Sequence, residues 1–111
     1  MKKLIFFILI FSMLTALGQT KKRVLFIGNS YTYVNNLPQI IKDIASSKGD
    51  TLEFSQSVMG GATFNTHFQN PTTYSFIQAQ NWDAVVIQGQ SQEASLSTNS
   101  VMTNSYPYLK S

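Results

Sequence analysis

Arg23-Val24-Leu25-Phe26-Ile27-Gly28-Asn29-Ser30 is the stretch on which the fold turns. Side chains alternate between the two faces of a strand, so four apolar residues in succession, Val24 to Ile27, do not suit a strand with one wet face. They suit a strand buried on both sides, as in a parallel sheet covered by helices, and Gly28 ends it at a turn. Downstream, Leu37, Ile40, Ile41, Ile44 and Ala45 recur at helical spacing, with Lys42, Asp43, Ser46 and Lys48 on the other side. An amphipathic helix is therefore expected from about Pro38 to Lys48, with Pro38 in its first turn and Gly49 as its stop. Thr51 to Val58 alternates Leu52, Phe54 and Val58 with polar residues and reads as a second strand nearer an edge. Met59 to Thr73 carries Gly60-Gly61 and Asn70-Pro71 and reads mostly as loop. Thr72 to Gln80 reads as a short helix with Phe76 and Ile77 inward. Trp82 to Gln88, with Ala84-Val85-Val86-Ile87 continuously apolar, reads as a third, buried strand with Trp82 packed against the sheet. Strands alternating with helices imply an α/β fold built on a parallel sheet with right-handed crossovers.

The 111-residue chain is 43% hydrophobic and 13% aromatic but only 12% charged, which excludes disorder and leaves room for one core. Its net charge of +3 misleads, because Lys2, Lys3, Lys21, Lys22 and Arg23 crowd the first 23 residues. From Val24 onward three lysines stand against five carboxylates, so the basic face that nucleic acid requires is missing. With no cysteine, disulfide scaffolds, thiolate metal sites and Cys nucleophiles are excluded. Met1-Lys2-Lys3, the apolar run Leu4 to Leu17 and the small residues Ala16 and Gly18 match a cleavable secretion signal over residues 1–18. The run is short of the roughly 20 residues that span a membrane, so an exported domain over residues 19–111, periplasmic or extracellular and with no stable membrane insertion, is expected. Three strands and two helices make about half of a doubly wound domain, and the expectation is that more of it follows Ser111.

Ligands of open α/β sheets sit outside the carboxyl ends of the strands, which directs attention to three loops. After the first strand, Gly28-Asn29-Ser30 can present a serine hydroxyl with backbone N–H groups beside it, although Asn and Ser also suit turns and helix caps. After the second, Gly60-Gly61-Ala62-Thr63 can bring a backbone N–H close to a ligand, or serve as a plain flexible loop. After the third, Gln88-Gly89-Gln90-Ser91-Gln92-Glu93 offers side-chain amides as donors, or forms a polar surface turn. The G-x-G-x-x-G spacing of dinucleotide sites is absent. His67 is the only histidine, and it has no second His, Cys or close carboxylate cluster to make a metal site.

Taken in order, the three loops resemble the SGNH (GDSL-type) hydrolase superfamily over about Val24 to Glu93. Val24 to Thr32 looks like the family's first block, a strand followed by Gly-Asp-Ser, here in its Gly-Asn-Ser form. Gly61-Ala62-Thr63 looks like the second block. Gln88-Gly89-Gln90-Ser91 stands where most members carry Gly-x-Asn-Asp, and is closer to the Gln-Gly-Glu-Ser of carbohydrate O-acetylesterases. The resemblance implies a three-layer, flavodoxin-like parallel sheet with flanking helices, of which residues 19–111 are the N-terminal part. It implies Ser30 as nucleophile, with the Ser30 and Gly61 N–H groups and a glutamine amide, Gln88 ahead of Gln90, as the oxyanion hole. It implies an acyl ester substrate, with an O-acetyl group on a carbohydrate as the favoured case, and no cofactor or metal.

The family's general base is an Asp-x-x-His pair near the domain's end, and this sequence contains none. His67 does not match that place and is read chiefly as structural or solvated. Without the pair, near-background esterase activity is expected of these 111 residues alone. The competing reading is a non-catalytic exported carbohydrate-binding or structural fragment of the same fold. Tyr31, Tyr33, Phe64, Phe68 and Tyr74 either line a sugar cleft or anchor loops. A flavodoxin-like ligand site would need a phosphate-cradling loop after the first strand, for which Gly28-Asn29-Ser30 is too poor in glycine and hydroxyls.

Overall fold

The structure, a computed structural model, describes residues 18–110, so the expected signal lies outside the described residues apart from Gly18. The chain is mixed α/β, with one three-stranded parallel sheet and flanking helices. Strand β1 (Lys21–Gly28) is central, with β2 (Thr51–Val58) on one side and β3 (Ala84–Ile87) on the other. Lys21 to Gly28 pairs residue for residue with Thr51 to Val58, and Val24 to Ile27 with Ala84 to Ile87. Asp83 extends the second ladder: its N–H donates to the Arg23 carbonyl at 2.8 Å, and its carboxylate accepts the Arg23 N–H at 2.7 Å.

Val24 to Ile27 are all buried, as their uninterrupted apolar character requires. The register places Phe26 on the face of Phe54, which it meets edge-on at 6.1 Å, and Ile27 on the opposite face with Ser57. Helix α1 (Ser30–Tyr33) is a single turn capped by Asn29, and α2 (Leu37–Ser47) follows it back across the sheet to β2. Helices α3 (Phe64–Phe68) and α4 (Pro71–Gln78) lead from β2 to β3. The second crossover runs past β1 in the opposite direction to the first, so the right-handedness of such connections puts α4 on the face opposite α2. Ser57 and Thr73 mark that contact, their hydroxyls 2.9 Å apart. A 3₁₀ turn (Glu93–Ser95), α5 (Thr98–Asn104) and α6 (Tyr106–Lys110) complete the described chain. Among the described residues no helix is long and apolar enough to cross a membrane.

Several expectations are revised. The third strand is apolar but not buried: Val85, Val86 and Ile87 are 42–48% exposed, because among the described residues β3 pairs only with β1 and neither of its faces is fully covered. Helix α2 turns Pro38, Ile41 and Ala45 inward, while Leu37, Ile40 and Ile44 form an exposed stripe on its flank. The segment read as loop contains α3, started by a reciprocal capping box in which the Thr63 side chain accepts the Thr66 N–H and the Thr66 side chain accepts the Thr63 N–H. The polar stretch after Gln88 also turns helical at Ser97, whose side chain caps α5. Trp82 donates its indole N–H to the Phe76 carbonyl at 3.0 Å and so closes the end of α4.

Candidate functional site

At the carboxyl edge of the sheet the three loops meet around Asn29, which is 2% exposed. Its Nδ2 donates to the Ala62 carbonyl at 3.1 Å and to the Gly89 carbonyl at 3.3 Å, while its Oδ1 accepts the Tyr31 N–H and caps α1. The same side chain therefore starts the helix that carries Ser30 and fixes the two other loops to it. Ser30 follows Asn29, Gly61 precedes Ala62 and Gln90 follows Gly89, so one buried amide controls the neighbours of all three candidate groups.

Ser30 is half-buried at the first position of α1, where backbone N–H groups have no helical acceptor. Neither its N–H nor its Oγ has a hydrogen-bond partner among the described residues. Gly61 is the third residue of a turn closed by the Ala62 N–H on the Met59 carbonyl, and its φ of +69° is one that glycine adopts without strain. Its N–H likewise has no acceptor among the described residues.

The two glutamines differ. The Gln88 Oε1 accepts the Asn29 N–H at 3.1 Å and the Thr32 hydroxyl at 3.0 Å, which fixes the amide orientation, and its Nε2 donates to the Gly89 carbonyl. The Gln88 amide is thus occupied within the loop junction. Gln90 is held at its N–H by Glu93 Oε2 at 2.7 Å and at its Oε1 by the Gln92 N–H at 2.6 Å. Its Nε2 has no acceptor among the described residues.

His67 is buried behind the end of β1. Its Nε2 lies 2.8 Å from the Gly28 carbonyl, which only accepts, so the proton is on Nε2; Nδ1 then accepts the Thr73 hydroxyl at 3.0 Å, and Ser57 donates to Thr73. Both ring nitrogens are engaged, Nε2 at the end of β1 and Nδ1 on Thr73 of α4, and no hydrogen bond joins Ser30 to them among the described residues. An apolar cavity of about 270 Å³ lies between α3, α4 and the sheet, lined among others by Ile27, Phe64, Phe68, Tyr74 and Ile87. Ser30, Gly61 and Gln90 do not line it, and Tyr31 stands in solvent beside Ser30.

The carboxylates with displaced titration lie at the other end of the sheet. The Arg23 N–H, aided by Lys22, holds Asp83 below the ordinary aspartate range, and Lys21 does the same for Glu53 through an ion pair at 2.9 Å. Among the described residues no three His, Asp or Glu side chains stand close enough to hold a metal. The arrangement can therefore present one hydroxyl and three N–H donors to a ligand, with no proton acceptor on the hydroxyl. Sequence reasoning passed over Asn29 and Glu93 as organisers; the position of Asn29 just before a helical turn was a signal for the capping half of its role. A scan against protein-family models and searches of curated proteins and solved structures return no match to this chain.

Proposed function

We propose that this edge is the nucleophile and oxyanion half of an SGNH-type serine esterase centre in an exported protein, set in a three-layer, flavodoxin-like domain. The observation that carries the reading is the double hydrogen bond from Asn29 Nδ2 to Ala62 and Gly89, which gathers a serine and unpartnered N–H donors on one sheet edge. In the reaction, Ser30 Oγ forms a bond to the ester carbonyl carbon as a general base takes its proton. The negative oxygen accepts from the Ser30 N–H, the Gly61 N–H and the Gln90 Nε2, and Gln90 is preferred to Gln88 because its amide is unoccupied. Collapse breaks the bond to the alcohol, which leaves with the proton from the base. Water then hydrolyses the acyl-serine by the same steps and restores Ser30.

The base in this reading is the Asp-x-x-His pair that the resemblance implies, supplied by sequence other than these 111 residues. A carbohydrate O-acetyl ester is the favoured substrate class; the Gln-Gly-Gln-Ser string and the exposed Tyr31 ring beside Ser30 support it. The coding sequence beyond Ser111 provides the first test. An open frame reaching Asp-x-x-His, with aryl acetate hydrolysis that Ser30→Ala abolishes, is the expected result. A stop codon there would leave Ser30 without its base and favour a non-catalytic carbohydrate-binding protein.

A further inference from the structure

Glu93 is 8% exposed, yet its carboxylate has no cationic partner among the described residues. Burial of a carboxylate in that setting is costly unless other donors replace water. Three do so: the Gln90 N–H at 2.7 Å on Oε2, and the Phe64 N–H at 3.3 Å and the Ser105 hydroxyl at 3.2 Å on Oε1. Two of them come from the loops that carry the proposed oxyanion donors. Gln90 bears the unoccupied amide, and Phe64 opens α3 three residues after Gly61. The junction is close-packed, since a Cβ added to Gly89 would lie 2.5 Å from Phe64 Cζ and 2.9 Å from Glu93 Oε2.

A carboxylate differs here from any neutral side chain of similar size. Its two oxygens accept from two separate loops at once, whereas an amide has one acceptor and would turn N–H donors against either Gln90 or Phe64. We infer that Glu93 is a positioning residue, clasping the Gly61 and Gln90 loops through opposite carboxylate oxygens and so setting the spacing of the oxyanion hole. The inference rests on the serine-esterase reading.

The test uses the protein together with the sequence that supplies the proposed Asp-x-x-His base, with hydrolysis of an aryl acetate and amide hydrogen exchange as separate readouts. Glu93→Gln lowers kcat by about 10- to 100-fold with KM changed less than about twofold, because misplaced donors act on the transition state rather than on binding. Exchange at the Gln90 and Phe64 amides quickens while that of β1 is unchanged. Ser105→Ala removes a donor from neither loop and leaves kcat within about twofold, which separates positioning from general loop stability. Wild-type kcat in Glu93→Gln, or unaltered exchange at both amides, would overturn the inference. Turnover that survives Ser30→Ala would instead overturn the esterase reading, and the exchange result would still decide whether Glu93 joins the loops.

Discussion

Asn29 donates through Nδ2 to the carbonyl of Ala62 at 3.1 Å, joining residues 33 positions apart in the chain. An aspartate at this position would turn a carboxylate toward two carbonyl oxygens, those of Ala62 and Gly89. Asn29→Asp is expected to cost about 2–3 kcal/mol at neutral pH. Burial raises the pKa of the new acid, so the folded state binds more protons than the unfolded one and the penalty shrinks as the pH falls. Urea unfolding at pH 7 and pH 5 checks both the size and the sign.

His67 closes a directed chain in which Ser57 donates to Thr73, Thr73 to Nδ1, and Nε2 to the Gly28 carbonyl. His67→Ala removes two buried hydrogen bonds, although Gly28 keeps the Met59 N–H at 3.2 Å. The expected loss is about 1–3 kcal/mol of unfolding free energy, measured by denaturant titration. An unchanged midpoint would show that the ring does not hold the end of β1.

Gly89 lies against the Phe64 ring with no room for a methyl group. Gly89→Ala should destabilise by about 1–3 kcal/mol through overpacking. Phe64→Ala in the same chain should relieve much of that cost, so a double-mutant cycle is expected to show clear non-additivity. Additive effects would mean that the ring yields freely.

Asp83 is held below its ordinary pKa, first by the Arg23 N–H and then by Lys22. A carboxylate with a lowered folded pKa adds stability above its unfolded pKa and loses it as the pH falls through the folded value. Asp83→Asn should therefore differ most from wild type above about pH 4 and converge with it at lower pH. Glu53 contributes in the same direction through exposed Lys21, an effect that added salt should weaken. Unfolding midpoints across pH 2–7 at two salt concentrations check this.

The fold was legible where local pattern decides it. Val24 to Ile27 announces a central strand because no half-buried strand tolerates such a run, and Leu37 to Ala45 announces a helix by its period. How far each element is covered was not legible: β3 has the same apolar character as β1 but only one neighbouring strand among the described residues, a property of the sheet and not of the segment. The short helix α3 was readable only from the Thr63 and Thr66 pair, which signals a cap without the usual glutamate. For the candidate site, parallel topology alone brings three loop sequences to one edge. Which glutamine keeps a free amide depends on the Asn29 N–H and Thr32 taking the Gln88 oxygen, contacts 59 and 56 residues distant. The Glu93 clasp spans 29 residues to Phe64 and has no sequence signature.

The strand order β2-β1-β3 also sets a schedule for folding. Partners in the β1–β2 ladder are 30 residues apart and eight pairs long; those in the β1–β3 ladder are 60 apart and only four pairs long. Closing the longer loop costs about 0.6 kcal/mol more in chain entropy, for half the ladder in return. Distant pairings of this kind form slowly, so the expected order is that β1, α2 and β2 assemble first and β3 docks onto them afterwards. Ser30 is present on its turn from the first stage, but Gln90 reaches it only at the second. A chain caught between the two stages holds a serine that cannot yet meet all its proposed partners, which gather only once β3 has docked.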